Sequence, residues 1–356
     1  MTHGSPPATN SGVTAPLRLE LDSTALVANW RWMAASAHGA DCGAAVKADG
    51  YGLGARAVVA RLAEAGCRDF FVATWAEAEA LGPLPEGAAL SVLHGVRADD
   101  MGVARHQFAR PVLNSAEQVA RWRAAGGGAC DVMIDTGMNR LGLTPAEARS
   151  GMLDGLTIDT LMSHLACADE PEHPLNGAQQ TCFAALAKAI PARRASLANS
   201  AGVLLGRAYA FDLVRPGLGL YGGAPAPGSE TMVRPVAAIA AQVLQVRQVP
   251  TGATVGYGAT WTARRDSRIA ILNLGYADGM PRALGGHAAA FAADRLLPFV
   301  GRVSMDLIAV DVTDAAVGDG DWLRLPLDLL RLSAASGLSQ YELLTGLGER
   351  FERRWH

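Results

Sequence analysis

Apolar residues in this chain come in short runs, and from Gly43 those runs alternate with stretches of helical period. Strands are predicted at 43–47, 69–74, 89–93, 111–113, 130–135, 158–164, 195–199 and 211–215. Between most of them, apolar positions recur every three or four residues, as in Ala76–Leu81, Ala116–Ala124 and Ala178–Ile190. Roughly eight βα units in about 200 residues match the count and size of a (β/α)8 TIM barrel. A doubly wound sheet needs about six and is the second choice. Upstream, Leu17–Leu21 predicts a short strand, and Asp22 or Ser23 can cap a helix with Leu26, Val27, Trp30, Met33 and Ala34 at helical spacing.

After about Arg234 the pattern changes to long alternating runs, Val236–Val249, Arg268–Leu274 and Leu307–Val312, with glycine-rich turns between them. That is the signature of a mainly β second domain. It closes with helical patterns near 327–335 and 339–348, the latter opening on a capping box, Ser339-x-x-Glu342. The expected organisation is a disordered tail over 1–16, a barrel over 17–234 and a C-terminal β domain over 235–356.

Composition narrows the function classes. The chain has 356 residues, half of them hydrophobic, enough to bury a large core in two domains. A net charge of −3 with both signs interspersed leaves no footprint for nucleic acid or an anionic membrane. No apolar stretch is long enough to span a bilayer, and Met1 to Gly12 lacks the apolar centre of a signal peptide. Cys42, Cys67, Cys130, Cys167 and Cys182 are odd in number and lack CxxC spacing, as expected of reduced thiols in a cytoplasmic protein.

Candidate chemistry starts at Lys47, where a buried strand runs into Gly50, Gly52 and Gly54. An amine at such a strand end is a candidate imine former. Gly52-x-Gly54-x-x-Ala57 also fits a dinucleotide turn, but the next apolar run, 70–75, ends without the acidic residue that motif wants. A barrel places its chemistry at the C-terminal ends of the strands and binds phosphate after strands seven and eight. Lys47, Arg140, His164, Asn199 with Ser200, and Arg215 occupy such ends and converge only if the barrel closes. His164, Cys167, Asp169 and His173 match no structural zinc pattern well, and no metal is expected. In the second domain Gly256-Tyr257-Gly258, the 275–279 segment around Tyr276, and Ser304-Met305-Asp306 stand out, although tyrosines beside glycines commonly just mark turns.

Taken in order, these segments resemble alanine racemases from about Leu17 to the end of the chain. The matching motifs are Ala-Val-Lys47-Ala-Asp-Gly-Tyr51-Gly, Asp135-Thr-Gly-Met-Asn-Arg140-Leu-Gly, Met162-Ser-His164-Leu-Ala and Ala198-Asn-Ser200. They continue through Arg215-Pro-Gly217-Leu-Gly-Leu-Tyr221-Gly, Val255-Gly-Tyr257-Gly, Gly275-Tyr276-Ala-Asp-Gly and Ser304-Met305-Asp306. The resemblance implies a pyridoxal 5'-phosphate enzyme: a barrel followed by a β domain, a head-to-tail homodimer, and a first strand, 17–21, that belongs with the β domain. It assigns Lys47 the covalent bond to the cofactor. Tyr51, Ser200 and the backbone of Gly217 and Leu218 would hold the phosphate, with Asn199 and Tyr221 also in the cofactor site. Arg215 would face the pyridine nitrogen, backed by His164. Arg140 and Met305 would take the substrate carboxylate, and Tyr276 would narrow the entrance.

Inverting a carbon requires a proton-carrying group on each face, and the resemblance gives these roles to Lys47 and Tyr257. A phenol normally titrates near ~10, so taking a proton at neutral pH calls for cationic neighbours. An arginine at the ring nitrogen can only donate, which leaves that nitrogen unprotonated and favours reprotonation over transamination. The implied activity is interconversion of L- and D-alanine to supply peptidoglycan; the alternatives are a broader racemase that takes serine, or a barrel protein that binds pyridoxal phosphate without racemising. An amino-acid decarboxylase of the same fold type would place glutamate, not Arg215, near the ring nitrogen. The chain departs from the family pattern at Met133, where many members carry a carbamylated lysine, at Ser304 in place of cysteine, at Glu349 where some have a phosphate-binding tyrosine, and at Leu325-Pro326-Leu327 where a Trp-Gly step is common.

Overall fold

Seven short strands form one parallel sheet in sequence order: Ala44–Ala45, Asp69–Val72, Ala89–Val92, Arg110–Leu113, Cys130–Met133, Ile158–Met162 and Arg194–Ser196. The computed structural model describes residues 15–106 and 108–356, so residues 1–14 of the expected tail lie outside the described residues. The eighth strand, Leu213–Val214, pairs in parallel with Asp41–Cys42, the front half of the first strand. Hydrogen bonds from Gly43 N to Val214 O and from Ala45 N to Pro216 O extend that seam. On its other side, Asp212 N bonds Ala195 O and Arg215 N bonds Ala198 O, so the sheet curls into a closed ring. The strands end earlier than the apolar runs suggest, because the last residues of several runs turn away from the ladder to line the barrel mouth.

Helices between the strands begin on local caps. Asp22 Oδ1 accepts from Ala25 N to start Ser23–Ser36, and Thr74 with Glu77 forms a full capping box on Trp75–Leu81. In both helices the buried positions recur every three or four residues and fall on one stripe.

At the end of the barrel opposite Lys47 lies a buried ionic cluster. Arg194 donates to both oxygens of Asp69, at 2.9 and 2.5 Å, and also reaches Asp159 at 3.2 Å. Asp131, fully buried, accepts from Ser91 Oγ, Thr160 N and Arg110 Nε. Burial pushes the Asp131 carboxyl up despite the neighbouring Arg110.

The β unit holds an eight-stranded sheet ordered 267–272, 308–311, 295–300, 289–292, 322–326, 237–249, 17–21, 352–355. Ala237–Val249 also pairs with Ser267–Leu272, which closes part of the sheet on itself, and a register shift between Val243 and Gln245 lets this long strand bend. Several of these strands, 289–292, 295–300, 322–326 and 352–355, carry too weak an alternation to be read from sequence. One compact unit comprises the segment ending at Glu20, Ile239–Pro326 and Gly348–Arg354; the other comprises Leu21–Ala238, Leu327–Leu347 and Trp355–His356. In the barrel unit, Gln340 exchanges hydrogen bonds with the backbone N and O of Ala224.

Asp69→Ala strands the Arg194 guanidinium in a buried site and is expected to cost about 3 kcal/mol in equilibrium urea denaturation. A loss below about 1 kcal/mol would mean that Asp159 and Asp41 hold Arg194 unaided.

Candidate active site

Beyond Ala45 the chain does not enter the open glycine loop expected from its sequence. It forms a tight left-handed turn in which Ala48 (φ 52), Asp49 (φ 50), Gly50 (φ 63) and Tyr51 (φ 55) all have positive φ. Only glycine adopts this region freely; each other residue there costs on the order of 1–2 kcal/mol. Bonds from Gly50 N to Val46 O, Gly52 N to Ala48 O and Gly54 N to Asp49 O hold the turn, and Asp49 Oδ1 accepts from Ala55 N to start the next helix. Lys47 is the last residue before the strained run, and its side chain lines a cavity of about 930 Å³ at the barrel mouth. Burial and the charge of Arg140 lower the Lys47 pKa, while Glu77 works in the opposite direction.

The same cavity is lined by Tyr51, Arg140, His164, Asn199, Ser200, Arg215, Gly217 and Leu218, all named from the sequence. Asn199 caps the short helix Ser200–Leu204 through its Oδ1. Ser200 Oγ accepts from Gly217 N at 2.8 Å and Gly219 N at 3.2 Å, which frees its own proton for donation. The Gly217 N–H is thereby engaged with Ser200 rather than pointing freely into the cavity. Tyr51 stacks on Tyr221 with ring centroids 4.5 Å apart, and the buried Tyr221 hydroxyl donates to Ala45 O. A Cβ at position 217 would collide with the Tyr51 hydroxyl, so the glycine makes room for that phenol.

Arg215, buried on the cavity floor, donates to Ser196 Oγ and to Ser163 O. Burial brings its pKa down to about 10, so it keeps its charge at neutral pH. Its Nη2 lies 3.4 Å from His164 Nδ1. A guanidinium only donates, so Nδ1 is the acceptor and the imidazole proton sits on Nε2. Burial, then the charges of Arg215, Arg140 and Lys47, push His164 down to about 3, so the ring is neutral. Arg140 is placed through its backbone: Asp135 accepts from Gly137 N and Arg140 N, both at 2.8 Å. Burial opposes the Asp135 charge, but backbone N–H groups from Gly137, Asn139, Arg140 and Met138 hold the carboxyl below its usual range. The Arg140 guanidinium makes no ion pair among the described residues. Met133 packs into an apolar cluster with Phe71, Val112, Met162 and Leu213, so this position offers the Arg140 guanidinium no polar partner.

Tyr257, Tyr276 and Met305 belong to the β unit and are exposed there, Tyr257 at 71%. Tyr276 N bonds Ser304 O, Ala277 N bonds Met305 O, and Arg350 ties Asp278 to Asp306, so the loops carrying Tyr276 and Met305 form one assembly. Sequence reasoning missed Tyr341, which lines the cavity 6.3 Å from the Tyr51 ring, and Asn114, whose buried Oδ1 has no partner at the cavity wall. It also missed Glu77, whose carboxylate reaches the residue after Lys47. No periodicity flags these residues, since only the folded barrel brings them together.

The donor set suits pyridoxal 5'-phosphate. It offers a depressed amine for an aldehyde, a free hydroxyl beside a glycine-lined cradle for a phosphate, and an obligate donor on the floor for a ring nitrogen.

Two family models span the chain: "Alanine racemase, N-terminal domain" matches residues 21–225 and "Alanine racemase, C-terminal domain" matches 236–355. An alanine racemase of Acidiphilium cryptum is 44% identical over 348 residues, covering 94% of this chain and 97% of the relative. One of Jannaschia sp. is 46% identical over 349 residues, covering 94% and 97%. Among solved structures, alanine racemase from Bartonella henselae with covalently bound pyridoxal phosphate superposes at a TM-score of 0.87 with 34% identity, covering 96% of this chain and 100% of that one. The biosynthetic alanine racemase of Pseudomonas aeruginosa gives 0.85 and 35% over the same shares. Sequence, both domain models and backbone agree along nearly the whole length, and the chain belongs to the alanine racemase family.

Proposed function

We propose that this chain interconverts L- and D-alanine as a cytoplasmic homodimer and supplies D-alanine for peptidoglycan, with Lys47 and the partner's Tyr257 carrying the protons. The observation that carries this reading is a single cavity in which the depressed Lys47 amine shares walls with Ser200, Gly217, Arg140 and the buried Arg215. Residues 17–234, joined by the returning segment 327–347, are taken as the cofactor-binding part, and the β unit between them as the part that reaches the partner. Five free cysteines and the lack of a membrane-crossing helix among the described residues fit the cytoplasmic placement.

When bound, pyridoxal phosphate supplies the electron-withdrawing ring that makes the amino acid's α-proton able to leave. Lys47 Nζ, its pKa lowered by burial and Arg140, would hold the cofactor and exchange a proton at one face of the α-carbon. The hydroxyls of Tyr51 and Ser200 with the backbone at Gly217 and Leu218 would hold the phosphate, with Asn199 and Tyr221 bracing them. Arg215 would donate to the ring nitrogen without protonating it. His164, neutral with its proton on Nε2, links Arg215 to the partner's Tyr257, which serves the other face. Arg140 and the backbone N–H of the partner's Met305 hold the substrate carboxylate, and the partner's Tyr276 narrows the entrance.

Tyr257→Phe is expected to retain the cofactor spectrum while racemisation falls by about 10²–10⁴-fold, the usual size of a lost acid–base group. Mixing inactive Lys47→Ala and Tyr257→Phe chains should restore activity at one site per heterodimer; silence after proven subunit exchange would rule out shared sites. The His164 ring binds protons less readily folded than unfolded, where it titrates near ~6.5. Its stabilisation is therefore complete above ~6.5 and drains away as pH falls toward 3. Denaturation midpoints of wild type and His164→Gln across that window should converge as pH falls, and parallel curves would contradict the assignment.

A further inference from the structure

Glu77 sits in the third position of the helix Trp75–Leu81, and its carboxylate does two jobs at once. Oε2 accepts from Ala73 N at 2.6 Å and Thr74 N at 3.3 Å, closing the capping box on its own helix. Oε1 leaves that helix and accepts from Ala48 N at 2.8 Å. Ala48 follows Lys47 directly and is the first residue of the strained left-handed run. Its N–H has no carbonyl partner within the turn, because the turn's own bonds begin at Gly50 N. The helix that follows the second barrel strand thus supplies the acceptor that the first strand's exit lacks.

We propose that Glu77 is a positioning residue for Lys47: its carboxylate bridges Ala48 to the loop after the second barrel strand and fixes the left-handed turn from which the amine is presented. This rests on the reading of Lys47 as the cofactor-holding amine. A helix cap alone would need only the Oε2 contacts. The second oxygen, spent on a strained backbone elsewhere in the fold, is what marks a role in the site. The charge acts as well. Lys47 faces Arg140 and Glu77, with His164 in the same cluster, and Glu77 is the member that favours its protonated form.

Geometry and charge separate in one experiment. Full-length chain freed of cofactor is recombined with pyridoxal 5'-phosphate across a pH series, and covalent capture at Lys47 is followed by absorbance and by borohydride trapping. The high-pH plateau rate reports how the amine is presented, and the midpoint reports its charge. Glu77→Gln, which keeps one acceptor, should move the midpoint to lower pH and cut the plateau; Glu77→Ala should cut it further, by about tenfold or more. Thr74→Ala weakens the same helix cap without touching the Ala48 contact and should leave the plateau at the wild-type rate. Circular dichroism restricts the comparison to folded variants, and the near-isosteric glutamine keeps the test usable where alanine does not fold. A plateau within about twofold of wild type in both Glu77 variants overturns the proposal. So does a Thr74→Ala plateau as low as theirs, which would reduce Glu77 to a cap. Undiminished capture in Lys47→Ala would instead remove the reading of Lys47, a result distinct from either.

Discussion

The ladder between Leu213–Val214 and Asp41–Cys42 is two residues long, yet it closes the barrel and thereby makes the site. It lays the segment carrying Arg215, Gly217 and Leu218 against the strand that ends at Lys47. The adjoining bonds to Ala195 and Ala198 bring Asn199 and Ser200 alongside. Parallel pairing between distant segments carries a loop-closure cost that local contacts cannot offset. The buried Arg194–Asp69 pair at the far end, contributed by strands seven and two, spans the same closure and fixes which strands face each other. Glycine at 217 then lets the Tyr51 phenol pack against the returning chain.

Electrostatics at the mouth follow from this crowding. Lys47, Arg140 and Arg215 share one cavity with His164, and like charges in a poorly solvated space push one another toward neutrality. Arginine gives up its proton last, so the imidazole stays neutral and the lysine is held below its ordinary range. The result is a wall with two fixed positive charges, a lysine amine whose pKa is lowered and a neutral imidazole. That balance suits a negatively charged phosphate and a substrate carboxylate while leaving one nitrogen reactive.

Much of this was legible in the sequence because barrels translate strand order into spatial order. Reading the polar residues at strand ends gathered Lys47, His164, Ser200 and Arg215 before any fold was known. The left-handed turn was not legible, since Ala48, Asp49 and Tyr51 have no compositional mark of positive φ and only the flanking glycines hint at it. Glu77 was not legible either, since its contact with Ala48 crosses between two barrel strands and shows only in the fold. Tyr341 and Gln340 were assigned to the closing helices of a β domain, but that segment packs with the barrel, where no periodicity could have put it. The weakly alternating strands 289–292, 295–300 and 322–326 escaped because short, half-polar strands leave too little pattern to count.

The return of Gln340 and Tyr341 to the barrel makes the β unit an excursion of the barrel's own backbone. The chain leaves the barrel unit after Ala238, builds Ile239–Pro326, and comes back for Leu327–Leu347. Gln340 pins the returning segment at Ala224, and Tyr341 comes to lie beside Tyr51. One wall of the cavity therefore hangs on an unbroken backbone through the β unit, and a cut near Pro326 would part the barrel from a piece of its own site.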